Sequence, residues 1–216
     1  MKGLLLKDWY QVRTSMKAMC LTVAFVLVIW VFSTSSAYVF PVSYAAVFLG
    51  ILPINLLAYD HASGWTEYSF ALPLSKELQV AEKYLVGLLC TAVSAALNGI
   101  FCGILFWMGK PLPAMPIGLL LGAGAASILL INGIMLPLYY RFGAEKARML
   151  YMLMFAGLGA LLGGGVAVMD ELQQNGTGSG PLPVPLWLAA VLLLAVLALY
   201  AVSWRVSVAW YGKYKK

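Results

Sequence analysis

Charge is scarce in this sequence. Of its 216 residues, 10% are charged and 62% are hydrophobic, and the mean hydropathy is +0.89. A typical soluble domain is about a quarter charged and about half apolar. The composition excludes an ordinary soluble domain. It predicts an all-α integral membrane protein, folded as a single transmembrane domain over residues 1–216.

The motifs of common enzymes are also missing. No GxxxxGK[ST] phosphate loop occurs, so the chain lacks the usual means of binding and hydrolysing ATP by itself. HExxH and GxSxG are absent too. The single histidine, His61, is interpreted as solvated or as capping a helix. We therefore expect no catalytic residue in this chain.

Cysteine gives no metal or disulfide signal. Cys20, Cys90 and Cys102 lie within or at the ends of apolar runs, without CxxC spacing. Such residues are by default small buried hydrophobes. We expect neither a metal site nor a bound cofactor.

Long apolar runs account for most of the chain. A helix needs roughly 20 mostly apolar residues to cross the hydrocarbon core of a bilayer. Residues 18–59 carry no charge and are long enough for two crossings. Four further runs follow. The prediction is six transmembrane helices, at about residues 18–40, 42–59, 84–108, 116–140, 149–169 and 185–204.

A cleavable signal peptide is the alternative interpretation of the first run. Ser35 and Ala37 resemble a small-residue cleavage site. The charged region ahead of the run is longer and more patterned than the short charged start of a signal peptide. We expect the run to be retained; its loss would leave five spans.

Lysine and arginine fall almost entirely on one side of the predicted spans. Thirteen of the 14 lie in the termini and in the loops after the second and fourth spans, and Lys110 alone lies opposite. The positive-inside rule places the rich side in the cytoplasm. The prediction is a multi-pass plasma-membrane protein with both termini cytoplasmic. Its net charge of +6 reflects topology and contact with lipid, and no nucleic acid is expected as a partner.

The N-terminal segment has an amphipathic pattern. Leu5, Trp9, Val12 and Met16 recur at helical spacing, with polar residues largely elsewhere around the helix. This pattern predicts a helix over about residues 2–17 that lies in the cytoplasmic interface.

The loop at residues 60–83 concentrates the polarity that the spans lack. Residues 59–84 hold half of the eight carboxylates and the only histidine. Ser63 is the predicted N-cap of a short helix, and Trp65, Tyr68 and Leu72 share one of its faces. Pro73 ends that helix, because proline cannot supply the next backbone donor.

A second helix is predicted directly after this short one. Ser75 is its N-cap, Glu77 lies in its first turn, and it continues through Lys83 into the third span. The loop is much longer than the roughly 2–8 residues that connect helices in bundles. Its length favours a docking role over the alternative, a simple connection at the interface.

Three cytoplasmic segments resemble those of a known transporter family. They are "MKGLLLKDW" before the first span, "YDHASGWTEYSFALPLSKELQVAEKYL" after the second and "LPLYYRFGAEKARMLY" after the fourth. In this order they resemble the permease subunits of type 2 ABC exporters. The resemblance is strongest to a compact six-span group of Gram-positive bacteria that includes the phenol-soluble modulin exporter permease.

The resemblance implies a function and a set of partners. The N-terminal helix would be the elbow helix of the family, and the loop after the second span would hold a coupling helix that docks on a separate ATPase. Two copies of the chain would bind two ATPase subunits, which hold ATP and Mg, and would export an amphipathic peptide. The residues implied at the ATPase interface are Asp60, Ser63, Gly64, Trp65, Glu67, Leu72, Pro73, Leu74, Ser75, Glu145 and Lys146.

Asparagines are the polar residues deepest in the predicted spans. Asn55, Asn98 and Asn132 would either line a translocation path or form hydrogen bonds between helices, each worth roughly 1 kcal/mol in a membrane. Three glycine pairs would allow helices to approach closely, either within the chain, which is the favoured interpretation, or at the seam of a dimer. These pairs are Gly99/Gly103, Gly118/Gly122 and Gly159/Gly163.

Two other classes of membrane protein remain as alternatives. One is a secondary transporter that needs no ATPase, and the other is a peptide-sensing or immunity protein. Ion-coupled transporters usually place ionisable groups near the middle of the membrane. The predicted spans contain none, which counts against the first alternative.

Overall fold

The computed structural model describes residues 2–15, 17–32, 39–71, 75–110, 117–174 and 186–211. These ranges are helical throughout apart from short turns, and they contain no strand. The helices are α1 (Lys2–Ser15), α2 (Lys17–Phe32), α3 (Val39–Ala62), α4 (Trp65–Ala71), α5 (Lys76–Trp107), α6 (Ile117–Gln174) and α7 (Leu186–Tyr211).

Two local signals in the sequence are confirmed. Ser75 has extended backbone angles (φ −68°, ψ 145°) and its hydroxyl accepts a hydrogen bond from the Leu78 amide, which makes it the N-cap of α5. Glu77 lies in the first turn, where the helix dipole favours a carboxylate.

Gly143 bends α6, with φ 78° and ψ 176°, and divides it into residues 117–143 and 144–174.

Within the described ranges, four helices are long and apolar enough to cross a membrane, namely Ser43–Ala62, Lys76–Trp107, Ile117–Gly143 and Ala190–Tyr211. They correspond to the predicted second, third, fourth and sixth spans. α1 and α2 are bent by 65° and make a fifth crossing if they form one broken span. The fifth predicted span coincides with the second part of α6. The total of six stays a prediction.

α3, α5 and α6 pack against one another and form the centre of the bundle, and α7 packs against α5 and α6. Leu56 of α3, Val80 of α5 and Leu136 of α6 are completely buried. α7 is the most exposed of the four candidate span helices, since only 17% of its most apolar stretch is buried within the bundle. Exposed apolar side chains such as Leu194 and Val202 suit contact with lipid.

The close helix contacts occur at different glycines from those predicted. A Cβ atom at Gly99, Gly103, Gly118 or Gly122 would meet nothing within 4 Å. The prediction of close packing within the chain was therefore wrong for these four, because helical spacing shows that two glycines share a face but not what that face meets. The side-chain surroundings of Gly159 and Gly163 lie outside the described part of the chain.

α5 and α7 approach each other closely at Gly87. A Cβ atom there would lie 2.5 Å from the hydroxyl oxygen of Tyr200. That hydroxyl donates a hydrogen bond to the carbonyl of Tyr84, at 2.7 Å. The Tyr84 hydroxyl in turn lies 2.7 Å from the hydroxyls of Ser203 and Ser207. Small and hydroxylated side chains thus hold two apolar helices together.

α1 uses its apolar pattern differently from the prediction. Leu5 and Val12 pack against the core formed by α3, α5 and α6, whereas Trp9 is 63% exposed. The predicted shared apolar face is therefore split. Periodicity places these residues near one another, but it does not show which of them meets protein. Met16 lies outside the described residues.

Candidate functional site at the α4 end of the bundle

α4 is a helix of seven residues between two span helices. Ser63 and Gly64 form the turn that leads into it, and Gly64 has a left-handed φ of 72°. The prediction of Ser63 as N-cap was wrong, because α4 begins at Trp65 and Gly64 occupies the capping position. The Ser63 hydroxyl instead donates to the Asp60 carbonyl at the end of α3.

Side chains from three other helices hold α4 in place. The ammonium nitrogen of Lys7, on α1, lies 4.7 Å from the centre of the Trp65 ring, in a cation–π contact. Gln79 of α5 donates to the Ser69 carbonyl, at 3.2 Å, and accepts from the Ser69 hydroxyl, at 3.3 Å. The hydroxyl of Tyr211, on α7, donates to the same Gln79 oxygen. α4 is thus connected to α1, α5 and α7.

Beneath α4 lies a group of charged side chains from three helices, here called the ion-pair network. Its members are Lys7 and Asp8 of α1, Asp60 of α3, and Glu82 and Lys83 of α5. The Lys83 ammonium lies 2.8 Å from carboxylate oxygens of both Asp8 and Asp60. The Lys7 ammonium lies 2.8 Å from both oxygens of Asp60. The network therefore joins α1, α3 and α5.

Four of the five members of the network are almost completely buried, and the side chain of Lys7 is 21% exposed. Asp8 and Lys83 are 2% exposed, and Asp60 and Glu82 are 4% exposed. Charges buried to this extent are stable only when they are paired and hydrogen-bonded. Removing a closely paired member such as Lys83 leaves its partners uncompensated, so the arrangement of the three helices depends on these close pairs.

The network was not predicted from the sequence. Asp60 was expected at a partner interface, and the two lysines were interpreted as topology signals. Glu82 and Lys83 lie within a candidate span helix, but Glu82 is only six residues, about 9 Å, from its first residue. The sequence does contain a signal for this network. Two pairs of adjacent opposite charges, Lys7–Asp8 and Glu82–Lys83, occur on helices that lead into apolar runs.

The structure brings together part of the predicted interface. Asp60 and Trp65 line one cavity with Gly143, which lies in the second predicted loop. Ser63, Gly64, Ser75 and Lys146 are exposed. Glu67 is on α4 and Glu145 is on α6, although their side chains are outside the described part of the chain. Residues 72–74, which include Leu72, Pro73 and Leu74, also lie outside it.

The three asparagines make contacts inside the bundle. Asn132 is completely buried and donates to the carbonyls of Gly50 on α3 and Ile128 on its own helix, at 3.0 and 2.9 Å. Asn98 is 1% exposed and donates to Ser94. Asn55 lies 3.8 Å from the sulfur of Met19. The Asn132 contact favours a helix-packing role there, and the substrate path stays a prediction.

The described helices form an apolar bundle with charged residues at one end, where the short helix α4 lies between two candidate span helices. This architecture is that of an integral membrane protein. The chain belongs to a family described as "ABC-2 family transporter protein", whose model matches residues 3–212. The match includes α1, α4 and the ion-pair network. No curated protein and no solved structure matches the chain. The family identifies the chain as a permease component of an ABC transporter, which works with an ABC ATPase.

Proposed function

We propose that the chain is the membrane subunit of an ATP-driven exporter and that α4 docks on the separate ATPase. The observation that carries this proposal is the placement of α4. So short a helix is marginal by itself in water, yet Trp65 and Ser69 fix it to the bundle. Tyr68, on the same helix, is 58% exposed and is available to a partner.

In this proposal, movement of α4 reaches the spans through its side-chain contacts. Two copies of the chain bind two ATPase subunits, which hold ATP and Mg. Hydrolysis shifts α4, and the shift passes to α1 through Lys7, to α5 through Gln79 and to α7 through Tyr211. The loop with Glu145 and Lys146 contributes to the same interface. The α4 end and both termini then face the cytoplasm.

For the cargo we propose an amphipathic peptide, such as a toxin or antimicrobial peptide. The resemblance to the phenol-soluble modulin exporter permease supports this class. The position of Glu82 and Lys83 at one end of α5 counts against ion-coupled transport, because an ion-coupled transporter usually places such groups near mid-membrane. A peptide sensor would instead bind peptide without stimulating ATP hydrolysis.

Substitution at Tyr68 tests the docking role of α4. We expect Tyr68→Glu to weaken ATPase binding by roughly tenfold or more, because exposed tyrosines are common hot spots and a carboxylate there would be desolvated. Tyr68→Phe keeps the ring and should bind nearly as the native chain does. Affinity is measured with the purified subunits in detergent. Normal binding by Tyr68→Glu would contradict the assignment.

A further inference from the structure

A small cavity lies beside the ion-pair network, beneath α4. Its volume is about 50 Å³, and it is lined by Asp60, Trp65, Glu82, Lys83 and other residues of α1, α3, α4, α5, α6 and α7. This space admits roughly three water-sized groups. The exposed His61 and the half-buried Trp65 also line it. The cavity therefore reaches the surface beside α4.

The network has one more carboxyl group than ammonium groups. Three carboxylates face two ammonium groups. Both oxygens of Asp8 accept from Lys83, and both oxygens of Asp60 accept from Lys7. The remaining carboxylate is that of Glu82.

Glu82 is the least satisfied member of the network. Its buried oxygen Oε1 has no hydrogen-bond partner among the described residues, and the ammonium nitrogens of Lys83 and Lys7 lie 3.6 and 3.9 Å away. The residue is 4% exposed and lines the cavity. A buried carboxyl oxygen without a hydrogen bond is costly. A further cation that donates hydrogen bonds would satisfy this oxygen.

We propose that this cavity receives one ammonium group, supplied by a lysine side chain of the ATPase subunit, and that this group pairs with Glu82. The inference rests on the proposed function, because α4 is the surface on which that subunit docks. Charge complementarity identifies the occupant. One carboxyl group of the network has no ammonium of its own, and an ammonium is compact, with three donors. The pairing would make docking depend on a residue buried behind α4.

Neutralising Glu82 tests the pairing, and Glu77→Gln is the matched control. Glu77 is exposed and lies one and a half turns earlier on the same helix. We expect Glu82→Gln to weaken binding of the purified ATPase by about tenfold or more, as loss of one partner of a buried pair does. Glu77→Gln should change affinity by less than about twofold. Glu82→Asp, which keeps the charge, should bind more tightly than Glu82→Gln.

The stability of the free permease separates docking from a purely structural role. Glu82→Gln replaces a poorly satisfied buried carboxyl group by a neutral amide of nearly the same size, so the free chain should unfold at the same or a higher temperature than the native chain. Unchanged ATPase affinity would overturn the proposal. So would a lower unfolding temperature accompanied by equal losses in Glu82→Gln and Glu82→Asp.

A second measurement identifies the source of the positive charge. The free native chain is heated in ammonium chloride and, at equal ionic strength, in tetramethylammonium chloride, whose cation cannot donate hydrogen bonds. Equal unfolding temperatures are expected. Stabilisation by ammonium alone, absent in Glu82→Gln, would show that a free cation occupies the cavity and would overturn the lysine assignment. Failure of the native chain to bind any ATPase would refute the proposed function instead.

Discussion

Lys83 shows how a charged residue is kept within an apolar bundle. It is 2% exposed, and its ammonium lies 2.8 Å from oxygens of both Asp8 and Asp60. Its position next to a span suggested a residue that sets topology. The structure gives it a second role, because its partners come from α1 and α3. Pairing over such sequence distances depends on tertiary structure, which periodicity does not reveal.

Removal of the Lys83 charge should destabilise the protein strongly. We expect Lys83→Met to lower the free energy of unfolding by about 3–5 kcal/mol, since Asp8 and Asp60 lose a buried partner. Lys76→Met is the control, because Lys76 is exposed on the same helix, and its effect should stay within about 0.5 kcal/mol. Unfolding in detergent measures both. Equal effects would show that the network does not stabilise the fold.

Gly87 should tolerate no side chain. Alanine normally stabilises a helix interior relative to glycine by about 0.5–1 kcal/mol. At Gly87, however, the added Cβ would lie 2.5 Å from the Tyr200 hydroxyl and displace it from the Tyr84 carbonyl. Overpacking of this kind typically costs about 1–3 kcal/mol, so we expect a net loss of stability.

The control for this substitution is Gly103→Ala, on the same helix. A Cβ atom at Gly103 meets nothing within 4 Å, so this variant should be as stable as the native chain or slightly more stable. Thermal unfolding of both variants gives the comparison. If Gly87→Ala raised the unfolding temperature as much as Gly103→Ala, the close contact with α7 would be refuted.

Among the elements, α5 was the most predictable and α1 the least. The cap at Ser75 and the carboxylate of Glu77 are local signals, and both occur where the sequence placed them. The packing of Leu5 and Val12 on α1 was not predicted, because an amphipathic pattern does not distinguish lipid from protein as the surface it meets. The turn residues on either side of α4 predicted a short helix at this position. Its first residue, Trp65, follows Gly64 and not the predicted cap, Ser63.

The bend of α6 should depend on Gly143. Its angles, φ 78° and ψ 176°, lie in a region that is essentially restricted to glycine. We expect Gly143→Ala to cost about 1–3 kcal/mol of unfolding free energy and to alter the angle between the two parts of α6. Spin-label distances across the bend, with Gly99→Ala as the control, test this. An unchanged angle and stability would contradict the prediction.

For the whole molecule, composition was sufficient to predict a helical membrane protein, and the family match agrees. The scarcity of charge and the length of the apolar runs are properties of the whole chain. A wrong interpretation of one residue does not change what they predict. The candidate site was only partly predictable. Asp60 and Trp65 were singled out, but the network that lies beneath them combines residues far apart in sequence. The six-span count, the orientation, the dimer and the substrate stay predictions.

The central claim is that α4 couples this permease to an ATPase. The most direct measurement is purification of the tagged chain in detergent from its native host, with ATP hydrolysis assayed on the eluate. The account predicts a stoichiometric partner that contains a phosphate loop. That partner should be lost when residues 63–75 are scrambled in a chain that still folds. Recovery of the intact native chain without any ATPase, under conditions that preserve other transporter complexes, would contradict the account.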